Sequence, residues 1–404
     1  MISENSRTNG QDRGLKSVLF YSDSPGYGGH EAMTVEAARH LCQDPKLTVS
    51  FAFYSGNNRL QEKLEAIQTA SGNLALLPFN FRAERLQAFR SLISWRKIEQ
   101  IQSLMKQIDP DVVVVSQGRI EGGSMGLLAA KRAGYHTISY LPVAHPVSVS
   151  GRPFAVWIRE MVNGYFYRLP DKIITISESS RRMLRERDAT PNVVVVPNAV
   201  EAPPIQELDR QRFREAQGIA KDEYLVATIG RIQFKDKGQD FAIKAIAHFR
   251  NEIEGCKFVF VGEGPDEHKL KEMIDNFDLS RQVKIVPWTP NPTEVYAGSD
   301  MLLIPSRFEG VPLVMLEAMA YGLPIVATNV DGMADLLPPH WLFPAGDCGA
   351  LMETLLRVRK SDNSSVLEQH RNQVANDFTA QKFCMQFSAA VYEQAEPLRL
   401  SKEL

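Results

Sequence analysis

Residues 300–328 read DMLLIPSRFEGVPLVMLEAMAYGLPIVAT, and this stretch decides the fold. Its apolar run at residues 301–304 has the length of a buried strand. Pro312 stands where a first helical residue would be, Gly322 closes the helix, and residues 325–327 predict the next strand. The stretch therefore predicts a strand, a loop, a helix and a second strand, which is one unit of a parallel sheet.

Two carboxylates, Glu309 in the loop and Glu317 on the helix, stand eight residues apart in this unit. Glu317 is the single charged side chain between Val311 and Pro324, so the helix should be buried nearly all round. A buried carboxylate needs a partner, which is either an internal hydrogen bond or salt bridge, or a ligand with hydroxyl groups. We favour a ligand, because Glu317 lies roughly 7 Å from a helix N-terminus that would hold phosphate.

The composition predicts an ordinary globular protein of two domains. The chain has 404 residues, 44% of them hydrophobic, and a net charge of −2, which gives no global attraction to nucleic acid. Its four cysteines form no C-x-x-C pair and indicate buried thiols in a reducing compartment. Residues 1–14 are polar and predict a disordered tail, and no apolar run is long enough to span a bilayer. We expect a cytoplasmic protein, with the inner face of the membrane as an alternative location.

Short apolar runs alternate with amphipathic segments of helix length along the whole chain, which predicts parallel sheets of the α/β class. The predicted strands are residues 17–21, 48–54, 74–77, 112–116, 137–140, 172–176, 193–196, 224–230, 257–261, 283–286, 301–304, 325–327 and 341–343. The prolines at 203 and 204 mark a linker. The prediction is two doubly wound domains, residues 15–200 and 201–380, with ligands in the cleft between them.

Glycines follow the first strand in the segment SDSPGYGGHE. Gly26, Gly28 and Gly29 predict a turn into a helix near His30, where a ligand or the other domain could approach the backbone. The spacing is not G-x-G-x-x-G, so a dinucleotide site is a weak interpretation. A tight turn alone explains these glycines about as well.

The segment ATIGRIQFKDKGQD brings two cations to the start of the second domain. Arg231 follows the strand and Lys237 stands at the beginning of the next helix, an arrangement that suits a diphosphate. Gly262 and Trp288 follow the next two strands at the same edge, although a tight turn would explain each of them equally. His145 follows the fifth strand, in a loop where site residues are common.

Two further segments have competing interpretations. Residues 79–106 carry six cations against two acidic side chains, interleaved with aromatic and aliphatic residues. This pattern is typical of a segment that contacts a membrane surface or an anionic acceptor, but a solvated helix covering the sheet is slightly favoured. Asp109 and Asp111 form a D-x-D sequence, yet they precede a strand, so we interpret them as a turn and not a metal site.

The chain resembles the retaining glycosyltransferases of family 4, which have the GT-B fold of two Rossmann-like domains. The resemblance is carried by GRIQFKDKG, by FVFVGEGPDEHKL and above all by EGVPLVMLEAMAYGLPIVAT with its two glutamates. It implies a transferase that moves a sugar from a nucleoside-diphosphate sugar, with UDP the favoured nucleotide, to a hydroxyl group of a glycan or lipid-linked glycan. It implies no metal or other cofactor, and a mechanism in which the leaving phosphate deprotonates the acceptor.

The resemblance also implies a role for each matching position. Arg231 and Lys237 would bind the diphosphate and stabilise the leaving group. Glu309 would lie beside the sugar hydroxyls, Glu317 would bind the ribose, and His145 would contact the sugar. The other positions implied at the donor site are Gly28, Gly29, Gly310, Val311 and Leu313, and the placement of Gly262 and Trp288 after neighbouring strands adds those two as candidates. A helix near residues 381–404 would cross back to the first domain.

Two other functions remain open on these residues. A nucleotide-sugar 2-epimerase could share the fold and the donor while using no acceptor. A non-catalytic protein could retain the nucleotide-sugar site and only bind. The release of nucleoside diphosphate, measured with and without acceptors, distinguishes both from a transferase.

Overall fold

The computed structural model describes residues 15–144, 153–190, 192–289 and 292–393. Within these ranges the chain forms two parallel sheets with helices packed on both faces. The predicted tail at residues 1–14 and the candidate site residue His145 lie outside them. Among the described helices, none has the length and apolar character needed to cross a bilayer.

The first sheet has seven strands in the order β3-β2-β1-β4-β5-β6-β7. Every neighbouring pair runs parallel. The strands are β1 Ser17–Ser22, β2 Thr48–Tyr54, β3 Leu74–Phe79, β4 Val112–Ser116, β5 His136–Tyr140, β6 Lys172–Thr175 and β7 Val193–Val195.

The second sheet has six strands in the order β10-β9-β8-β11-β12-β13, again all parallel. The strands are β8 Tyr224–Ile229, β9 Cys256–Val261, β10 Val283–Val286, β11 Met301–Ile304, β12 Ile325–Thr328 and β13 Leu342–Phe343. The two sheets lie on either side of residue 200, which stays a predicted domain boundary.

Helices connect the strands and cover both sheets. In the first half they are α1 Gly29–Leu41, α2 Asn58–Ser71, α3 Gln87–Ile93, α4 Trp95–Ile108, α5 Ser124–Arg132, α6 Pro153–Arg168, α7 Glu178–Glu186 and α8 Glu207–Gln217. In the second half they are α9 Phe234–Lys237, α10 Gln239–His248, α11 Glu267–Asn276, α12 Thr293–Gly298, α13 Leu313–Tyr321, α14 Asp331–Leu336, α15 Cys348–Lys360, α16 Ser364–Asp377 and α17 Ala380–Tyr392.

Burial explains why the strands are nearly continuous apolar runs. Helices cover both faces of a doubly wound sheet, so every side chain of a central strand is removed from water. All five residues of β4 are buried, and so are all four of β11. The prediction of two doubly wound parallel sheets is confirmed, with strand ends shifted by one or two residues.

The strand order reverses once in each sheet, and this reversal positions the site. In the first sheet the chain winds outward in both directions from β1 and β4, and in the second from β8 and β11. Ligands of such sheets bind outside the carboxyl ends of the strands at the reversal. The relevant loops are therefore residues 23–28, 117–123, 230–238 and 305–312.

The carboxyl edges of the two sheets face each other and are joined by polar contacts. The side-chain amide of Asn198 donates a hydrogen bond of 2.8 Å to the Val311 carbonyl oxygen. The backbone N–H of Ser179 donates to Asp335 at 3.1 Å. These bonds connect segments that follow β6 and β7 to segments that follow β11 and β12.

Helix α17 returns to the first sheet, where it packs against α1. The ammonium group of Lys172, a buried residue at the start of β6, donates to the Ala390 carbonyl oxygen at 2.7 Å. Tyr392 donates its hydroxyl to Asp44 at 2.8 Å. The C-terminal helix α17 and the residues at its end are thus bonded to the first half of the chain.

Two local predictions are wrong by a few residues, and one turn is confirmed. Pro312 is the residue before α13, in extended conformation, and the helix begins at Leu313. Lys237 ends the short helix α9 and does not begin α10, because Gly238 adopts a left-handed conformation between them. Asp111 forms the predicted turn at the amino end of β4, where its carboxylate accepts bonds from the N–H groups of Lys16 and Ser17.

Candidate functional site

The reversal point of the second sheet brings Lys237 and Glu309 together. Lys237 follows β8 and Glu309 follows β11, and these strands are neighbours in the sheet. Their side chains form an ion pair, in which the Lys237 ammonium group donates to Oε2 of Glu309. The Ser306 hydroxyl donates to the same carboxylate at 3.3 Å. A cation and a carboxylate predicted to serve one ligand therefore lie in direct contact.

The loop that carries Glu309 is fixed by contacts on both sides. Arg307 forms a bidentate ion pair with Asp240 of α10, at 2.7 and 2.9 Å. The backbone N–H of Glu309 donates to the carboxylate of Asp331 at 3.2 Å. Asp331 has a positive φ of 48°, a conformation that asparagine and aspartate tolerate better than other side chains. These contacts orient the Glu309 carboxylate with respect to α9.

Glycines at this edge allow two turns to pack directly on their neighbours. A β-carbon on Gly238, whose φ is +67°, would lie 2.1 Å from the carbonyl oxygen of Pro305. A β-carbon on Gly262, whose φ is +148°, would lie 2.1 Å from the carbonyl oxygen of Gly230. Backbone contact between adjacent turns therefore accounts for both glycines, whatever Gly262 contributes to a ligand.

The N-terminus of α13 points toward the first domain. By helix geometry the N–H groups of Leu313 and Val314 have no intrahelical acceptor, and Pro312 provides no side-chain cap. Gly29 lies opposite, since a β-carbon there would be 3.6 Å from Cδ1 of Leu313. Gly310 is equally close to the first domain, because its β-carbon would lie 2.8 Å from Ile176. The structure thus brings the predicted glycine turn against the predicted phosphate-binding helix.

Glu317 has an internal partner that the sequence did not reveal. The hydroxyl of Tyr296 in α12 donates to Oε2 of Glu317. Burial raises the pKa of Glu317 above its usual value, and the hydrogen bond from Tyr296 opposes that rise. Part of the cost of burying this carboxylate is therefore offset within the protein, as the first of our two interpretations required. That contact uses one carboxylate oxygen and leaves a ligand role for the other.

The glycine turn of the first domain is stabilised by a buried carboxylate, Glu31. Its Oε2 accepts a hydrogen bond of 2.8 Å from the N–H of Gly28, and its Oε1 lies 2.7 Å from Nε2 of His30. Burial pushes the pKa of Glu31 upward, but His30 and the hydrogen bonds to the carboxylate outweigh it and lower the pKa. Because Glu31 occupies the Gly28 N–H, this amide is not free to bind a ligand.

A second buried carboxylate, Asp23, lies at the carboxyl end of β1. Its Oδ1 accepts a hydrogen bond of 2.8 Å from the N–H of Gly123, which joins the loops after β1 and β4. Burial raises the pKa of Asp23 to about 6 despite that bond. Its Oδ2 is buried and contacts no hydrogen-bond donor within the described residues. The position of Asp23 directly after the first strand was the signal that could have identified it.

Two arginines of the first domain reach the second domain beside the predicted site. Arg119, in the loop after β4, forms an ion pair of 2.8 Å with Asp236 of α9. The guanidinium group of Arg59, in α2, lies 4.0 Å from the ring centroid of Trp288 and 3.8 Å from the carboxylate of Glu263. Neither arginine could be identified from sequence, because both belong to segments without a motif.

The predicted site residues have different surroundings in the structure. Lys237 and Glu309 are in contact. Gly29, Gly310, Val311 and Leu313 lie at the junction of the two domains, and Trp288 lies against Arg59. Arg231 is exposed and follows β8, with its carbonyl oxygen bonded to Gln239. His145 lies outside the described residues, and the described part of the chain contains no cluster of His, Cys, Asp or Glu suited to a metal ion.

Family models match both halves of the chain. The model described as Glycosyltransferase Family 4 matches residues 27–202, and the model described as Glycosyl transferases group 1 matches residues 209–374. Between them they cover every strand of the two sheets except β1, and the second includes Arg231, Lys237, Glu309 and Glu317.

Individual relatives are distant but match most of the chain. An uncharacterized glycosyltransferase of Haemophilus influenzae is 24% identical over 81% of this chain and 84% of its own. The UDP-Gal:alpha-D-GlcNAc-diphosphoundecaprenol alpha-1,3-galactosyltransferase of Escherichia coli is 23% identical over 74% of this chain and 77% of its own. The structure of Anabaena HepE in complex with UDP and glucose superimposes with a TM-score of 0.73, at 16% identity, over 93% of this chain and 99% of HepE. This last likeness shows the fold.

Replacing Tyr296 with phenylalanine tests whether its hydroxyl group lowers the pKa of Glu317. Without that donor burial acts unopposed, so the pKa of Glu317 should rise further and the carboxylate should be protonated at a higher pH. Affinity for a nucleoside diphosphate, measured by calorimetry between about pH 5 and pH 8, should therefore begin to fall at a higher pH than in the wild type.

The matched control is Tyr321→Phe, which removes a neighbouring hydroxyl bonded to Thr293 and not to Glu317. It should leave the pH profile unchanged. Identical profiles for wild type and Tyr296→Phe would refute the assigned role of Tyr296.

Proposed function

The chain belongs to the group 1 glycosyltransferases and has the GT-B fold, and from that premise we propose that it transfers the sugar of a UDP-sugar to a glycan or lipid-linked glycan. We further propose that the reaction retains the anomeric configuration and needs no metal ion. The observation that carries the proposal is the contact between Lys237 and Glu309 beside the open N-terminus of α13.

The diphosphate would lie between this contact and the glycine turn of the first domain. Arg231 and Lys237 supply positive charge, and the free N–H groups at the start of α13 supply hydrogen-bond donors. Gly29 packs against Leu313 and so brings the glycine turn of the first domain to the start of α13. Glu317 lies one turn further into the same helix, where its remaining oxygen would accept bonds from the ribose hydroxyls.

Uracil is the proposed base, and a glycan is the proposed acceptor, because of the donors and products for which relatives of this chain are named. HepE is described in complexes with UDP, and the Escherichia coli relative is named for a UDP-galactose donor. That relative is also named for an acceptor linked to diphosphoundecaprenol, and a Salmonella typhimurium relative for colanic acid biosynthesis. We infer an acceptor hydroxyl on a polysaccharide precursor, free or carried by a lipid.

The chemistry follows from the charges at the site. When the bond between the anomeric carbon and the diphosphate oxygen breaks, negative charge develops on that oxygen and positive charge on the sugar ring. Arg231, Lys237 and the helix N–H groups stabilise the first charge, and Glu309 stabilises the second. The departing phosphate oxygen takes the proton of the acceptor hydroxyl, whose oxygen then bonds to the carbon on the same face.

Two features support a reaction without a metal ion. Arg231 and Lys237 both follow β8 at the reversal of the strand order, where they can supply the positive charge that a metal ion would otherwise bring to a diphosphate. The D-x-D sequence at Asp109 and Asp111 is engaged in a turn at the amino end of β4, away from the carboxyl edge. We therefore propose that the protein neutralises the leaving group with its own side chains.

Release of UDP from a panel of UDP-sugars, with and without glycan acceptors, tests the proposed function. Release should depend on acceptor and should persist in excess EDTA, because Arg231 and Lys237 supply the charge that a metal would supply. Loss of turnover in EDTA that manganese or magnesium restores would contradict metal independence. UDP release that acceptors do not stimulate would favour an epimerase, and binding without turnover would favour a non-catalytic protein.

Substitution of either cation by alanine should weaken leaving-group stabilisation. For Arg231→Ala and Lys237→Ala we expect kcat/KM to fall by about 10²–10³-fold, the cost of one preorganised charged donor. Lys235→Ala is the matched control, since Lys235 is an exposed lysine two residues away on α9. If both cation variants kept the kcat/KM of the control, the diphosphate assignment would be wrong.

Glu309→Gln should slow the chemical step without weakening the binding of UDP. The amide keeps the shape of the carboxylate but removes the charge that stabilises the sugar as the bond breaks. We expect kcat to fall by about tenfold or more while UDP affinity stays within about twofold of wild type. Glu317→Gln should do the reverse, weakening UDP affinity more than kcat. Calorimetry of both variants beside their kinetics would expose a reversed assignment.

A further inference from the structure

Helix α3 has its polar side inward and its apolar side outward. Gln87 and Ser91 are buried, and the Ser91 hydroxyl bonds to that of Ser124 at 2.9 Å. Phe89, Leu92 and Ile93 are exposed, the last at 65%. A helix that merely covers a sheet shows the opposite pattern. The interpretation favoured from sequence, a solvated helix, therefore fails for α3, although α4 fits it by burying Ile98, Ile101 and Met105.

Helix α6 packs against α3 and adds a second exposed apolar stripe. Trp157, Met161 and Tyr165 recur every fourth residue, so they lie on one face of the helix, and all three are exposed. Trp95, at the start of α4, is exposed next to the end of α3. We call the exposed side chains of residues 86–95 and 157–165 the α3–α6 face. It holds eight of the twelve large exposed hydrophobic residues among the described residues.

Positive charge borders the α3 side of this apolar surface. Residues 82–97 carry five cations, Arg82, Arg85, Arg90, Arg96 and Lys97, against the single carboxylate of Glu84. Glu84 already contacts Arg90 at 2.5 Å and Lys97 at 3.9 Å. The charge excess is therefore carried largely by three arginines, all exposed. Exposed aromatic and aliphatic residues bordered by cations are typical of proteins that lie on anionic lipid.

We propose that the α3–α6 face binds the surface of an anionic lipid bilayer, with its aromatic side chains inserted at the level of the headgroups. A second copy of the chain is a poorer partner, because a two-fold interface would place these cations against each other. The proposal extends the proposed function, on which it rests for the identity of the acceptor.

The position of the face relates membrane binding to the site. The segment before α3 lies at the carboxyl edge of the first sheet, because Ala83 donates its N–H to the carbonyl oxygen of Asp23 at 2.7 Å. Asp23 directly follows β1, whose carboxyl end borders the cleft. A bilayer on the α3–α6 face would therefore lie beside the mouth of the cleft. A lipid-linked acceptor could then reach the donor while its lipid stayed in the membrane.

Sedimentation with vesicles tests the proposal, using phosphatidylcholine alone and phosphatidylcholine with about 30% phosphatidylglycerol. The wild type should bind the anionic vesicles and be released as salt screens the charges. Phe89→Ser/Ile93→Ser and Arg82→Ser/Arg85→Ser/Arg96→Ser should each reduce partitioning by about tenfold or more. Controls are Leu208→Ser/Met385→Ser and Arg212→Ser, which alter exposed residues of α8 and α17.

Tryptophan quenching by brominated lipid gives an independent readout. Trp95 and Trp157 should be quenched, whereas Trp341 is fully buried and should not be. The variant Trp95→Phe/Trp157→Phe should lose the quenching. All variants change exposed side chains, so their melting temperatures and UDP release with a soluble acceptor should match wild type.

Three results would overturn the membrane proposal. They are absence of vesicle binding by the wild type, binding unchanged in the face variants, and self-association that Phe89→Ser/Ile93→Ser abolishes without any vesicle binding. The last would assign the face to a second copy. Vesicle binding without any UDP release would instead contradict the proposed function and leave the membrane proposal intact.

Discussion

The bidentate ion pair between Arg307 and Asp240 holds the loop on which the rest of the site depends. It bonds the segment after β11 to α10, the helix that follows Lys237. The loops after the neighbouring strands β8 and β11 are therefore held in a fixed position relative to each other. Glu309 then contacts Lys237, and Val311 offers its carbonyl oxygen to Asn198 of the first domain. A single loop thus joins the sheet, the candidate site and the domain junction. A bidentate arginine suits this position, because its planar fork fixes direction as well as distance.

Carboxylates that are buried (Glu31, Asp23) or half-buried (Glu317) recur around the cleft, and each is matched to a particular donor. Glu31 accepts from Gly28 and lies against His30, Asp23 accepts from Gly123, and Glu317 accepts from Tyr296. The pKa shifts follow from the number and charge of these partners. Glu31, beside an imidazole, has a lowered pKa, whereas burial dominates at Asp23 and Glu317 and raises theirs. Burying polar groups at the cleft costs stability, but it orients the glycine turn and α13, the helix proposed to bind the ribose.

The same edge of the first sheet leads to two different surfaces. The glycine turn after β1 meets α13, while the segment after β3 leads into α3, whose apolar side faces outward. Both follow from parallel topology, because every βα loop emerges at the carboxyl edge. The cleft proposed to bind a nucleotide sugar and the surface proposed to bind lipid therefore lie side by side at one edge of the first sheet.

The sequence by itself determined the two parallel sheets, their strands and the unit that carries Glu309 and Glu317. Hydrophobic periodicity and the prolines and glycines that end helices act locally, so they can be interpreted from neighbouring residues. Even there, the start of α13 and the position of Lys237 were wrong by a residue or two, since helix ends depend on backbone angles such as that of Gly238. Tertiary structure alone decided that Tyr296 bonds to Glu317, that Arg119 and Arg59 cross the cleft, and that α3 faces outward. Those features join residues far apart in the chain, and the direction of a helix face depends on the elements packed beneath it.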